Sequence, residues 1–343
     1  MDLIYMNSQK EDVGILQDYS FDLAFGADEN DFECKIPRNN HCCEGGYFLY
    51  IEGTEYGGII DDIAVDTEAE EVTYHGRTWH GFLDSKCIVP LLEGEQSTAD
   101  VTLKLTDSGG ESYVDKYLII SGEANKVLAW LINRLDLGSL FSVSEDDSGI
   151  NITEYRFDRY VMAYDGIAKM LAVSGAKLKL NYHEGIVAMN AEAIVDYSQD
   201  EQFDSDLISL KIRNYYSPVN HLICLGQGEL SEREVIHLYT DESGNISKNQ
   251  TITGIKEVVE TYDYSMASTA EELELNGIKK LKELWNQDSI ETDFDSNSNS
   301  FDIGDVVGAV DQITGMQGTA TISKKIVTIN GYETLITYKV GEK

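Results

Sequence analysis

The residues most able to do chemistry cluster in Asn220 to Tyr239, NHLICLGQGELSEREVIHLY, which holds a glycine pair, a cysteine, two histidines and an arginine. A glycine loop that opens a helix would cradle a phosphate. Here Gly226-Gln-Gly228 runs into Glu229-Leu-Ser231, so the third glycine of a dinucleotide loop is missing, and no Lys-Ser or Lys-Thr pair follows. Glu229 and Glu232 would repel a phosphate, and Val235, Ile236 and Leu238 continue as a strand, which offers no helix dipole. The stretch reads as strand–turn–strand. Gly226 and Gly228 permit positive φ at the bend, and Arg233, set among Glu229, Glu232 and Glu234, can pair with one of them.

Other chemistries lack a complete set. Cys42-Cys43 after His41 has ligand types but no second pair at zinc spacing. His75 and His80 flank an exposed-looking Gly76-Arg77-Thr78-Trp79 turn with no third ligand beside them. Asp293, Asp295 and Asn297 imitate the start of a calcium loop, but Ser298 and Gly304 replace the glycine and the glutamate such a loop needs, so only a loose calcium site stays open. No GxSxG or HExxH motif occurs, and Asp61-Asp62 and Asp146-Asp147 read as solvated turns. The sequence assigns no catalytic residue, no cofactor and no metal, and the chain is not expected to be an enzyme.

Composition sharpens this. Acids number 61 against 26 bases, a net charge of −35, which opposes phosphate contact and binding to anionic membranes. The N-terminal MDLIYMNSQKEDVG has neither the basic nor the apolar region of a signal peptide, and no run approaches the roughly 20 apolar residues of a span. Five cysteines, an odd count, are expected as reduced thiols in a protein made in the cytoplasm.

Three regions must position these residues. Residues 1–115 alternate as strands, among them Phe21 to Ala24, Tyr47 to Glu52, Ile59 to Val65 and Glu71 to Tyr74. Residues 116–200 form a small α/β unit. There Ser121 is expected to cap a helix with Val127, Leu128, Leu131, Ile132 and Leu135 on one face and Gly138 as its stop. A second helix is expected over Arg159 to Val173, with Met162, Ile167, Met170 and Leu171 buried, and Lys177–Asn181 with Gly185–Asn190 form a hairpin. Residues 201–343 are β again, with a helix near 268–286 opened by a Ser268/Glu271 capping box and weakened by Gly277. Asp293 to Ser300 is expected as a polar loop. The β regions share a pattern: Ile59 and Ile63 match Ile322 and Ile326, and Thr73-Tyr74 matches Thr337-Tyr338.

Asn220, Gly226, Gly228, Glu229 and Arg233 together resemble a signature of siphophage and prophage tail proteins of the baseplate hub type. VTYHGRTWHGFLDSKCIVP (Val72 to Pro90, with Gly76 and Arg77) and FDIGDVVGAVDQITG (Phe301 to Gly315, with Gly304 and Asp305) resemble two further elements of that family, in the expected order. Thr78 stands where many relatives carry Asp, and Leu230 where Gly or Ala is common. The resemblance implies an α+β, predominantly β fold: two β-barrel-like units of tail-tube type with the small α/β unit inserted. It implies a homotrimer that presents six similar units to a sixfold tube and joins tail tube, distal tail, tape-measure or tail-tip proteins. Such a protein is assembled in the bacterial cytoplasm, is located in the virion tail without a membrane anchor, and lets DNA pass without specific binding. An acid lining would suit that conduit. Arg77 and Arg233 are candidates for setting register between chains, or ordinary intrachain pairs. The alternatives are a tail-associated cell-wall hydrolase, which would need a nucleophile or metal set, and a receptor- or glycan-binding module, for which Trp79, Trp130 and Trp285 are poor platforms.

Overall fold

The computed structural model describes residues 2–198, 202–204, 211–213, 217–267, 269–285, 289–295, 301–331 and 333–340, with backbone only at 202–204, 211–213, 289–295 and Ser231. The chain forms two compact units, Met1–Leu210 with Glu291–Lys343, and Lys211–Ile290. Among the described residues it is predominantly β, and no helix is long and apolar enough to cross a membrane.

In the first unit, strands β1 to β7 are Ile4–Met6, Asp12–Ile15, Ser20–Gly26, Asp31–Pro37, Phe48–Tyr50, Gly57–Asp66 and Glu71–Thr78. Helix α1 (Trp79–Asp84), β8 (Cys87–Ile88), β9 (Val101–Leu103) and β10 (Ile119–Glu123) follow. Next come α2 (Ala124–Arg134), β11 (Phe141–Val143), β12 (Asn151–Arg156), β13 (Val161–Met162), α3 (Ala163–Val173), β14 (Ala176–His183), β15 (Ile186–Ala193) and β16 (Gln202–Asp204). The second unit holds β17 (Lys211–Arg213), β18 (His221–Leu225), β19 (Val235–Thr240), β20 (Ile246–Ser247), β21 (Val259–Asp263) and α4 (Ala270–Trp285). The chain then returns through β22 (Ser289–Asp295), β23 (Val306–Val310), β24 (Gln317–Asn330) and β25 (Glu333–Val340).

The main sheet runs in the order β22-β25-β24-β3-β4-β7-β6-β5-β1-β2, an open path. Period-2 alternation gives it two faces. Phe32, Cys34 and Ile36 of β4 and Val72 and Tyr74 of β7 point into a core shared with Phe21, Leu23, Val327 and Ile329. The two sequence-matched hairpins, β6–β7 and β24–β25, flank the β3–β4 hairpin within this one sheet. Tyr74 and Tyr338 are both fully buried.

A second core joins Phe48, Tyr50 and Trp79 to α2, α3 and the β14–β15 hairpin. That hairpin has the expected pairing and closes through Glu184 and Gly185 at positive φ. The expected apolar face of α2 is buried, but its cap is Glu123, whose carboxylate accepts the Asn125 and Lys126 N–H groups, and not Ser121. Helix α3 begins at Ala163, which leaves Met162 outside it and 41% exposed. The exposed-looking turn at 76–79 is not one: β7 continues to Thr78, and Trp79 and His80 are buried at the start of α1. Asp293 and Asp295 lie on β22 and not in a loop, while Asn297 and Ser298 fall outside the described residues.

In the second unit β20-β19-β18-β21 form one sheet, and α4 covers the face carrying Leu222, Cys224 and Leu238. Helix α4 runs unbroken through Gly277, because a Cβ there would collide with the Cys224 sulfur; the missing side chain seats the helix on the sheet. Ser268 lies outside the described residues, and Thr269 Oγ1 accepts the Glu272 N–H at 3.2 Å. Gly277→Ala would favour the isolated helix yet overpack this contact, so urea unfolding is expected to show a loss of about 1–3 kcal/mol. Unchanged or increased stability would contradict the close approach.

Candidate functional site: an acidic sheet face and its supports

The other face of the main sheet carries one cross-strand row, Thr328–Asp22–Glu33–His75–Asp62, over five adjacent strands. Thr328 donates to Asp22 at 3.0 Å. His75 Nε2 hydrogen-bonds with Glu33 at 3.1 Å, and its Nδ1 lies 3.5 Å from Asp62. The next row brings Asp31 opposite Arg77. Asp61 sits in a β-bulge and takes the Arg77 guanidinium at 2.7 and 2.8 Å. Asp22, Glu29, Asp31, Glu33, Asp61 and Asp62 thus border a cleft of about 530 Å³. The cations beside it are each engaged: Lys35 by Glu33, Arg77 by Asp61 and Lys324 by Glu29. Burial, with Glu29 and Glu33 close by, pushes Asp22 above the usual carboxylate range, and partial desolvation and Glu29 push Asp31 up although its side chain reaches solvent.

Gly304 and Asp305 form a buried support. The Asp305 carboxylate is inaccessible and binds Lys177 Nζ at 2.8 and 2.9 Å, the Val195 N–H at 3.0 Å and the Asp302 N–H at 2.9 Å. Asp302 takes Lys177 at 2.9 Å and Lys179 at 2.6 Å. Burial disfavours each charge, but these bonds outweigh it: Asp302 is held below the carboxylate range and Lys177 above the ordinary lysine value.

Asn220, Gly226, Gly228, Glu229 and Arg233 come together in the second unit as a braced turn. Asn220 bridges to β21, accepting the Val258 N–H at 3.0 Å and donating to the Lys256 carbonyl at 2.8 Å. Arg233 donates to the Gly226 carbonyl at 3.1 Å and pairs with Asp263 at 2.6 Å, across the sheet, and not with the neighbouring Glu229, Glu232 or Glu234. Gly228 has φ +99° and presses against the Glu232 carbonyl, where no side chain fits. Glu229 is exposed and accepts the Glu232 N–H through its carbonyl. Both arginines considered for register between chains are therefore held within the chain. The two departures from the pattern that the sequence resembles also have physical readings. Thr78 caps α1, as Asp would, and Leu230 sits at φ +50°, which glycine enters more cheaply.

Sequence reasoning missed Lys177, Lys179, Asp302 and the tyrosine hydroxyls. Tyr74 Oη accepts the N–H groups of Cys42 and Cys43 at 3.2 and 3.3 Å, and Tyr338 Oη accepts that of Phe301 at 3.2 Å. The Thr-Tyr pair repeated in the two β regions was the available signal. Among the described residues no group of three His, Cys, Asp or Glu side chains could hold a metal ion.

No protein-family model matches the chain, and no curated protein matches it in sequence. Its fold is that of prophage tail proteins. A prophage tail protein of Listeria monocytogenes EGD-e superposes with TM-score 0.54 at 11% identity, covering 99% of this chain and 94% of the other. The 43 kDa tail protein of prophage MuSo2 from Shewanella oneidensis gives TM-score 0.54 at 10% identity, covering 99% and 98%.

Asp305→Ala removes both Asp305 oxygens from the buried Lys177 ammonium and leaves it to Asp302 alone, and thermal or urea unfolding is expected to lose about 3 kcal/mol, most of it regained in Lys177→Met/Asp305→Leu. The cluster stabilises fully between the ordinary carboxylate and lysine values, about 3.9 and 10.4. Its contribution fades as pH falls through the lowered Asp302 value or rises through the raised Lys177 value. Asp31 behaves oppositely. Its raised value means that the folded state binds its proton more tightly, so ionised Asp31 costs stability at neutral pH. Asp31→Asn should be more stable than wild type at pH 7, and the gap should close below about pH 4. A gap independent of pH would reject this account of the acidic face.

Proposed function

We propose that this chain is a structural protein of a phage or prophage tail, a trimeric hub that joins the tail tube to the tail tip and forms part of the DNA conduit. The observation that carries the conduit is the acidic face, with six carboxylates around one cleft and each neighbouring cation already engaged by an acid. Such a wall gives passing phosphates no cation to bind and repels them, which favours transit over retention. The prophage tail fold over nearly the whole chain and the three family-like sequence pieces support the tail assignment.

In this reading the hairpins bearing Tyr74 and Tyr338, joined through β3–β4 in one open sheet, are the matching parts of two barrel-like units, and three chains complete the six positions facing the tube. Tyrosine-rich strands suit the contacts between chains, since a ring can be buried while its hydroxyl stays wet. DNA passes without a specific site, and the partners are further copies of this chain, the tube and the tip proteins.

Light scattering on a sizing column at low and high salt, followed by particle imaging of the main peak, tests this. The expected result is a trimer with an open centre. A monomer at every concentration and no ring in the images would overturn the trimeric hub.

A further inference from the structure

Cys42 and Cys43 follow a short 3-10 turn, Arg38–Asn40, in the connection between β4 and β5. Their sulfurs lie 3.9 Å apart, in contact. The two thiols differ sharply: Cys42 is exposed, whereas Cys43 is 1% exposed and packs in the core beneath the main sheet. Both backbone N–H groups donate to Tyr74 Oη, whose ring is fully buried. A single phenol therefore holds the dipeptide so that one sulfur meets solvent and the other waits behind it. Gly45 and Gly46 follow with open space around them, which lets this connection adjust. Cys34 and Cys224 are buried, and Cys87 is half-buried with its thiol toward the Ile88 carbonyl at 3.8 Å.

We propose that Cys42 and Cys43 are a redox-active vicinal dithiol that hydroperoxides close to an intrachain disulfide. The Cys42 sulfur attacks one peroxide oxygen and the O–O bond breaks, forming Cys42–SOH and releasing water from hydrogen peroxide or the alcohol from an organic hydroperoxide. The Cys43 sulfur then attacks the sulfenyl sulfur, the S–S bond forms, and hydroxide leaves with the thiol proton as water. Two thiols are oxidised and one further peroxide equivalent is not required. Burial pushes the Cys43 thiol up, so it is a poor first target for the oxidant; its sulfur touches that of Cys42, and closure bends the backbone between two adjacent Cα atoms, about 3.8 Å apart and short of the usual disulfide span. The setting rests on the tail reading above: a virion protein is made in a reducing cytoplasm and works in an oxidising medium. The pair then stays open during assembly and closes after release.

Fully reduced protein is treated with one equivalent of hydrogen peroxide, quenched, denatured and alkylated, and the peptide spanning the pair is weighed. Wild type should lose two titratable thiols, yield that peptide two hydrogens lighter, stay free of crosslinks between chains, and recover with dithiothreitol. Cys43→Ser should stop at a Cys42 sulfenic acid that dimedone traps, and Cys42→Ser should keep the Cys43 thiol. Should Cys43→Ser fail to fold, the wild-type and Cys42→Ser arms still decide. A dimedone adduct on wild-type Cys42 with Cys43 still alkylated, crosslinks between chains, or prior oxidation of Cys87 would overturn the dithiol. Sizing the same reduced sample separates the two readings: disulfide closure in a strict monomer sinks the tail setting alone, and a trimer without closure sinks the dithiol alone.

Discussion

The Asp305 carboxylate has no access to water, and a buried charge must be neutralised where it stands. It is met by Lys177 from β14, the Val195 N–H just beyond β15 and the Asp302 N–H of its own turn. Three chain segments are thereby fixed to one point. The turn bearing it is locked in place through backbone bonds to Ile322 at 2.9 and 2.8 Å, at the start of the stretch of β24 that pairs with β25 and β3. A buried ion pair is weak evidence of stability, since an apolar replacement can do as well. Its value here is positional, because a misplaced segment would leave a bare charge in the core.

The main sheet divides its labour by side-chain parity. One set of alternate residues fills the core with Phe21, Leu23, Phe32, Tyr74, Val327 and Ile329. The other set carries acids at a density that costs folding energy at Asp22 and Asp31. The apolar face anchors that charge, so the acids stay in a fixed pattern across the strands and not on wandering loops.

Local pattern was legible and distant pairing was not. The β14–β15 hairpin followed from alternation on both sides of Gly185, and the buried face of α2 from its apolar spacing. Gly277 misled for a good reason: propensity counts its cost to the helix, while its benefit lies in Cys224, on another element. Trp79 looked exposed because polar neighbours surround it in sequence, yet it stacks on Tyr182 at 5.1 Å between ring centres. The same limit hid half of the candidate site. Arg77 and Asp305 stood out as motif residues, but Lys177 is 128 positions from Asp305 and no local pattern marks it. The acidic row needed the register of five strands, which composition cannot supply.

The contact between Thr328 and Asp22 spans 306 residues. At about 5–20 residues per second, β3 leaves the ribosome roughly 15–60 seconds before β24 is available to cover its edge. For that interval an apolar strand with a free edge stands beside an unfinished core, the kind of surface that recruits neighbouring chains. The alternate carboxylates of the same strands then act before the fold is complete. Nascent chains on one polysome repel each other through Asp22, Asp31 and Glu33, so the acids that face the finished cleft also keep unfinished copies apart until the last hairpin arrives.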